Sequence, residues 1–259
     1  MLSSSVPQRI LGVIPARYSS SRFPGKALAP IAGKPMLEHV WERAMQSRYL
    51  TSVVIATDDD RIRSAAEHFG ARVVMTRSDH VSGTDRVAEV ASTSDAHWVV
   101  NVQGDEPTLD PSAIDAAILG VLGQDNALMG TLKTPLRRPE FALDPNVVKV
   151  VTDCHGNAIY FSRAPIPFNR DPGPASRTNS GPVYYKHLGL YIYQRDFLLA
   201  YPDLPIGPLE TAERLEQLRA LENGFKIRVV ETDYDALGVD TPEDWETVKQ
   251  LFEKTMVNQ

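Results

Sequence analysis

Four short apolar runs, each followed by a helical stretch, restrict this chain more than any other feature. Residues 10–14, 52–57, 73–75 and 98–102 have the length and composition of buried strands. Residues 35–46 follow the first, with Met36, Leu37, Val40, Trp41 and Ala44 at helical spacing, and Pro35 suits a first helical turn. After the second run, Asp58, Asp59 and Asp60 offer caps for a helix through Phe69, stopped at Gly70. Helices over 86–91 and 111–122 and a strand near 128–132 continue the series. Strand alternating with helix predicts an α/β, Rossmann-like, mostly parallel sheet with helices on both faces. A chain of 259 residues suits one such domain, with room for a small lobe.

Beyond residue 145 the pattern changes. Residues 146–152 and 158–162 flank the turn Asp153-Cys154-His155-Gly156 and predict a hairpin. Residues 171–182 are rich in proline, glycine and serine and predict a mobile loop. A strand over 186–193, one long helix over 208–222, a strand over 226–230 and a C-terminal helix capped by Asp240 or Thr241 complete the chain. The antiparallel pieces predict a small lobe appended to the main sheet.

The chemistry concentrates where the first strand stops. Pro15 ends it, and the next residues carry Arg17, Arg22 and Lys26 among Ser19, Ser20, Ser21 and Gly25. A small, basic loop at the carboxyl end of a parallel strand suits a polyanion, and a triphosphate most of all. It is neither G-x-x-x-x-G-K-[ST] nor G-x-G-x-x-G, which argues against the common ATPase and dehydrogenase sites. Gly104, Asp105 and Glu106 follow the fourth strand, where an aspartate can hold magnesium over phosphates or cap the next helix. Asp240 presents the same choice. His39 reads as a packing or surface residue, and His80 is as good a surface residue as a ligand group.

A net charge of −6 disfavours non-specific nucleic-acid binding. Cys154 is the only cysteine, so no internal disulfide is possible, and its place in a turn suggests an inert thiol. No apolar run nears the ~20 residues that span a bilayer, and Met1 to Gln8 is too short and polar for a secretory signal. A soluble cytoplasmic protein is expected, with no membrane insertion.

The run P-A-R-x-x-S-x-R-x-P-G-K from Pro15 to Lys26 resembles the signature loop of the sugar-acid cytidylyltransferases, nearest to the 3-deoxy-manno-octulosonate (Kdo) cytidylyltransferase family. V-Q-G-D-E-P around Asp105, K-H-L-G-L-Y from Lys186, P-L-E and L-E-Q-L-R around Glu210 and Gln217, and G-V-D-T-P-E-D around Asp240 extend the resemblance over most of the chain. It implies CMP transfer from CTP to Kdo for lipopolysaccharide biosynthesis, with Mg²⁺ and as a homodimer. It further implies a nucleotide site at Pro15, Ala16, Arg17, Arg22, Lys26, Arg77, Ser82, Gly83, Thr84, Gln103 and Asp105. Lys26, Arg22, Asp105 and Asp240 would be catalytic, with metal on the two aspartates. Arg163, His187, Tyr191, Glu210 and Gln217 would contact the acceptor; Arg163 could grip a carboxylate and His187 could donate to a sugar hydroxyl or carboxylate. Residues 1–135 would mainly bind nucleotide, 145–225 would serve the acceptor and dimerisation, and 226–259 would return to the main sheet of a single domain. Asp85 stands where the family's S-G-T-E-R has glutamate, and Lys186 and Gln194 stand where arginines are common, which leaves acceptor preference open. Other sugar-acid cytidylyltransferases, a metal-dependent glycosyltransferase and an inactive nucleotide-binding module remain alternatives.

Overall fold

The computed structural model describes residues 8–19, 22–124, 127–170 and 184–257. Ser20, Ser21, the N-terminal stretch before Gln8 and the proline-rich 171–182 segment lie outside the described residues.

The first half alternates as its apolar spacing requires. It runs β1 (Ile10–Ala16), the two-residue pair β2 (Pro30–Ile31) and β3 (Lys34–Pro35), α1 (Met36–Ala44), β4 (Ser52–Thr57), α2 (Asp60–His68), β5 (Arg72–Met75), α3 (Gly83–Ser92), β6 (Trp98–Asn101) and α4 (Pro111–Leu122). The second half holds β7 (Met129–Pro135), β8 (Lys149–Thr152), β9 (Ala158–Ser162), β10 (Tyr185–Gln194), α5 (Arg195–Ala200), α6 (Pro208–Glu213), α7 (Leu218–Glu222), β11 (Ile227–Glu231) and α8 (Pro242–Val257). The chain divides into two compact units. One comprises Met1–Asp115, Ile192–Pro202 and Ala236–Gln259, the other Ala116–Tyr191 and Asp203–Asp235.

In the first unit β6, β1, β4 and β5 lie side by side, all parallel. Val13, Ile14, Ile55, Ala56, Val99 and Val100 are fully buried along it, which is why these strands read as unbroken apolar runs. Each member of the aspartate triplet has a structural partner. Asp59 caps α2 through the Arg61 amide, Asp60 pairs with Arg63, and Asp58 pairs with the fully buried Arg86. The helix after β5 begins three residues earlier than its apolar spacing suggests. Ser82 and Asp85 cap each other's backbone amides reciprocally, which gives Asp85 its role.

In the second unit β7 and β11 pair in parallel, and β8 pairs antiparallel with β9 and β10. Two expectations need correction here. The strand expected over 146–152 starts only at Lys149, because that buried ammonium gathers the carbonyls of Asp144, Val147 and Arg163 at 2.6–2.9 Å, bending the chain before it. The single helix expected over 208–222 is two short ones. Arg214 breaks it in the left-handed region, φ 52°, where Glu213 reaches out to Ser162 Oγ and the Arg163 amide. The two pieces stay together through their outer ends, where Glu222 at the end of α7 accepts from the Leu209 and Glu210 amides in the first turn of α6.

Candidate active site

The basic loop gets its shape from one glycine. Gly25 sits at φ 75°, and its amide donates to the Tyr18 carbonyl at 2.8 Å, closing the loop on itself. The Tyr18 ring lies under the Arg61 guanidinium at 3.2 Å, which pins the loop to the start of α2. The 3₁₀ turn Lys26–Leu28 follows Gly25. Lys26 Nζ donates to Asp105 Oδ2 at 2.6 Å, Asp240 Oδ1 at 3.1 Å and the Val239 carbonyl at 3.0 Å. Arg22 reaches the other oxygen of Asp240 at 3.0 Å. Burial alone would lower the Lys26 pKa, but Asp105 and then Asp240 outweigh it and raise it, so the ammonium stays charged.

Residues 26, 105 and 240 meet for two reasons that lie outside the charges. Backbone joins two of them, since the Val239 amide donates to the Asp105 carbonyl at 2.9 Å. Apolar packing brings in the third. Ile31, Met36, Val239 and Val248 are buried together, with Phe23 edge-on to Trp245 beside them, and Trp245 Nε1 donates to the Pro30 carbonyl. Each such buried side chain is worth roughly 1.5–3 kcal/mol. The ion pairs, with Asp240 about half exposed, are worth about 0–1 kcal/mol each. The apolar cluster therefore holds the site, and the charges are presented on it.

Neither aspartate caps a helix with its side chain. Asp110 caps α4 through the Ser112 amide. Asp244 and Thr241 cap α8, Asp244 accepting from the Asp240 and Thr241 amides and Thr241 Oγ1 accepting from the Asp244 amide. Both alternatives left by capping thus fall to neighbours, and the Asp105 and Asp240 carboxylates converge on one cation. Two hard carboxylates sharing a cation form a donor set suited to Mg²⁺ with phosphate oxygens.

A cavity of about 280 Å³ opens beside Lys26. Pro15, Ala16, Arg17, Lys26, Gly83, Gln103 and Asp105, all expected at a nucleotide site, line it. Arg17 Nη2 donates to the His80 and Ser82 carbonyls at 2.6 and 3.0 Å, fixing the loop before α3 against the end of β1. Gly104 also lines it, but its lack of a side chain answers to the fold. A Cβ there would lie 2.8 Å from the Pro15 carbonyl. Ser82 caps α3, Thr84 is buried in its first turn, and Arg77 is a well-exposed partner of Asp79; these three do not line the cavity.

The acceptor residues expected from resemblance all lie in the second unit, and most already have partners. The Arg163 guanidinium donates to the carbonyls of Glu213, Pro145 and Arg214. Glu210 is paired through both oxygens with Arg219 at 2.7 and 2.8 Å, the two side chains about nine-tenths buried. His187 stands edge-on to Phe161 and beside Tyr191. Burial lowers its pKa from 6.5 to about 3. Its Nε2 lies 3.0 Å from Thr131 Oγ1, which is also 3.0 and 2.8 Å from the Leu188 and Leu190 carbonyls. The Thr131 hydroxyl has one proton, and giving it to either carbonyl leaves its oxygen to accept from the ring. In that arrangement Nε2 carries the ring proton, and Nδ1 is left as an acceptor. With that tautomer the free nitrogen would accept from a hydroxyl, whereas the expectation is donation to a hydroxyl or carboxylate. Gln217 Nε2 is buried without a partner among the described residues. Sequence reasoning missed Thr131, Val239 and Tyr18. A threonine in a strand and a valine beside an aspartate carry no signal of their own, and only the position of Tyr18 inside the basic loop singles it out.

The model of a family described as cytidylyltransferase matches residues 11–227. The chain belongs to the cytidylyltransferase family. Among curated members of this family, a protein of Solibacter usitatus named 3-deoxy-manno-octulosonate cytidylyltransferase is 64% identical over 97% of this chain and 98% of its own. One of Geobacter sulfurreducens with the same name is 55% identical over 92% and 97%. A solved structure, CMP:2-keto-3-deoxy-manno-octonic acid synthetase complexed with CTP, superposes with a TM-score of 0.88 at 42% identity, covering 96% of this chain and all of that one. The mostly parallel α/β sheet with antiparallel additions is therefore a cytidylyltransferase fold. No helix among the described residues is long and apolar enough to cross a membrane.

Proposed function

We propose that this chain transfers CMP from CTP to Kdo, releasing pyrophosphate and giving CMP-Kdo for lipopolysaccharide biosynthesis. What carries the proposal is 64% identity, over nearly the whole of both chains, to a relative named for that reaction. The anomeric hydroxyl of Kdo attacks the α-phosphorus in line, a new P–O bond forms, the bond to pyrophosphate breaks, and the hydroxyl proton goes to solvent. Such a transfer depends on positioning and charge neutralisation more than on covalent help. Arg22 and Lys26 are suited to neutralise the leaving pyrophosphate, while Pro15, Ala16, Arg17 and Gln103 line the cavity that would take the nucleotide. Asp105 and Asp240 would hold Mg²⁺, which when bound supplies charge neutralisation and acidifies a coordinated hydroxyl. His187 makes a poor general base at neutral pH, because its pKa of about 3 lies far from the working range.

Acceptor contacts are assigned to the second unit. Gln217 Nε2, unpartnered among the described residues, is assigned as a donor to sugar hydroxyls and His187, whose ring stands beside Tyr191, as an acceptor; Arg163 and Glu210 are held by their own partners. A cytoplasmic homodimer belongs to the same proposal, supported by Ile159 and Phe168, 60% and 87% exposed in the second unit. Sedimentation tests the dimer.

The deciding experiment measures pyrophosphate release with each NTP paired with Kdo, amino-Kdo or sialic acid. Release with CTP and Kdo is expected, abolished by EDTA and restored by Mg²⁺. Preference for another nucleotide or acceptor overturns the assignment, and full activity in EDTA removes the metal from it.

A further inference from the structure

We infer that Lys26 is a built-in stand-in for the divalent cation, holding Asp105 and Asp240 together until a triphosphate draws its ammonium away. The inference rests on the metal site proposed above and concerns how that site is filled. An ammonium has three donors, and those of Lys26 are all committed, to Asp105, Asp240 and the Val239 carbonyl. It cannot take a phosphate oxygen without releasing one of them. A divalent cation shared by the two aspartates would take the place between them that Lys26 now bridges, through Asp105 Oδ2 and Asp240 Oδ1. Ammonium and metal therefore compete as long as no other anion is present. Arg22 adds to the competition, since it neutralises the second oxygen of Asp240 at 3.0 Å.

A triphosphate in the adjoining cavity changes the balance, because Lys26 is part of that cavity's wall as well as the carboxylates' partner. Its oxygens give the ammonium somewhere to go, and Asp105 and Asp240 lose it together. Nucleotide and metal then favour one another, and by linkage each raises the other's affinity by the same factor. The ion pairs serve a second purpose before that. They keep two like charges close without metal, so the site need not assemble when the metal arrives.

Positive coupling in the unmodified protein does not test this, because phosphate oxygens would ligate a metal in any case. The test is metal without nucleotide. Mn²⁺ alone is titrated into the full chain and the free ion is followed by electron paramagnetic resonance. Lys26→Gln should bind Mn²⁺ about tenfold tighter than the unmodified protein, within the roughly 5–150-fold span of such couplings. Arg22→Gln should gain less. Lys34→Gln, which removes one positive charge paired elsewhere with Glu42 and Glu38, should change little. Adding Asp240→Asn to Lys26→Gln should erase the gain. Lys26→Met carries the same expectation and keeps the alkyl stem packed should Lys26→Gln fold poorly. Equal or weaker Mn²⁺ binding by the Lys26 variants overturns the inference, as does an equal gain in Lys34→Gln, which would mean bulk charge alone. Loss of the proposed reaction would show separately, as no pyrophosphate release by the unmodified protein with CTP and Kdo.

Discussion

The charged cluster of the first unit's candidate site and three charged side chains of the second unit are held in opposite ways. In the first, Lys26, Arg22, Asp105 and Asp240 are bonded mainly to one another, part-exposed, on a scaffold held by apolar packing. In the second, Arg163, Glu210 and Lys149 are bound into the fold, through backbone carbonyls or a buried ion pair. Charges that answer mainly to each other can be rearranged by a ligand at little cost to the fold. Charges that hold a turn or replace a helix cap cannot. Substitutions among Lys26, Arg22, Asp105 and Asp240 should therefore act on turnover, and those among Arg163, Glu210 and Lys149 on stability.

The largest effect expected belongs to the first unit. Asp105→Asn, Asp240→Asn or Lys26→Ala should each slow turnover roughly 10³-fold, the equivalent of about 4 kcal/mol of transition-state stabilisation. Unfolding stability should stay within about 1 kcal/mol of the unmodified protein, since part-exposed pairs contribute little. The double aspartate variant should be little worse than either single one, because the two act as a unit. Steady-state kinetics beside denaturant unfolding checks both halves, and a large loss of stability with normal kinetics would erase the contrast between the units.

Next in size is the ion pair of the second unit. Arg219→Leu strands the Glu210 carboxylate, whose side chain is only 11% exposed. A loss of about 3 kcal/mol is expected, typical for removing one partner of a buried pair. Urea unfolding measures it, and Glu210→Gln added to Arg219→Leu should recover part of the loss. A neutral Arg219→Leu would show that the second unit's charges are as dispensable to folding as the first unit's.

A smaller effect follows from His187. Its pKa is about 3 in the folded chain and near 6.5 in the unfolded one, so the unfolded state binds more protons between those values. Stability from this group is complete above pH 6.5 and falls as pH drops toward 3, by up to roughly 1.4 kcal/mol per pH unit. Urea midpoints of the unmodified protein and His187→Gln, compared from pH 7 to pH 5, should converge as pH falls. Parallel curves would mean the imidazole is protonated as easily folded as unfolded.

These contrasts mark what the sequence could show. The strands of the first unit were legible, because burial on both faces leaves unbroken apolar runs such as Val53 to Ala56. The basic loop was legible by its position after β1. The broken helix was not, since its apolar spacing is sound and the break comes from Glu213 bonding to Ser162 and Arg163, fifty residues away. The late start of β8 at Lys149 was not legible either. A lysine within an apolar strand suggests a solvent-facing side chain, and nothing local tells of three carbonyls waiting for it. The meeting of Asp105 and Asp240 came from family resemblance, because no spacing rule joins residues so far apart.

The smallest effect expected separates two aspartates four residues apart. Asp240 stands just before α8 and Asp244 in its first turn, yet one faces Lys26 and Arg22 while the other accepts from the Asp240 and Thr241 amides. Asp244→Ala removes that cap and should cost about 1 kcal/mol of stability. Turnover should fall only modestly, because Val239 remains buried and its amide still bonds the Asp105 carbonyl, keeping Asp240 near its place. Asp240→Asn should do the reverse, with a melting temperature close to normal and turnover largely lost. Side-by-side melting curves and pyrophosphate-release rates test the pair. If Asp240→Asn lowers only the melting temperature, Asp240 belongs with the structural charges of the second unit, and the partner of Asp105 at the metal must be another residue.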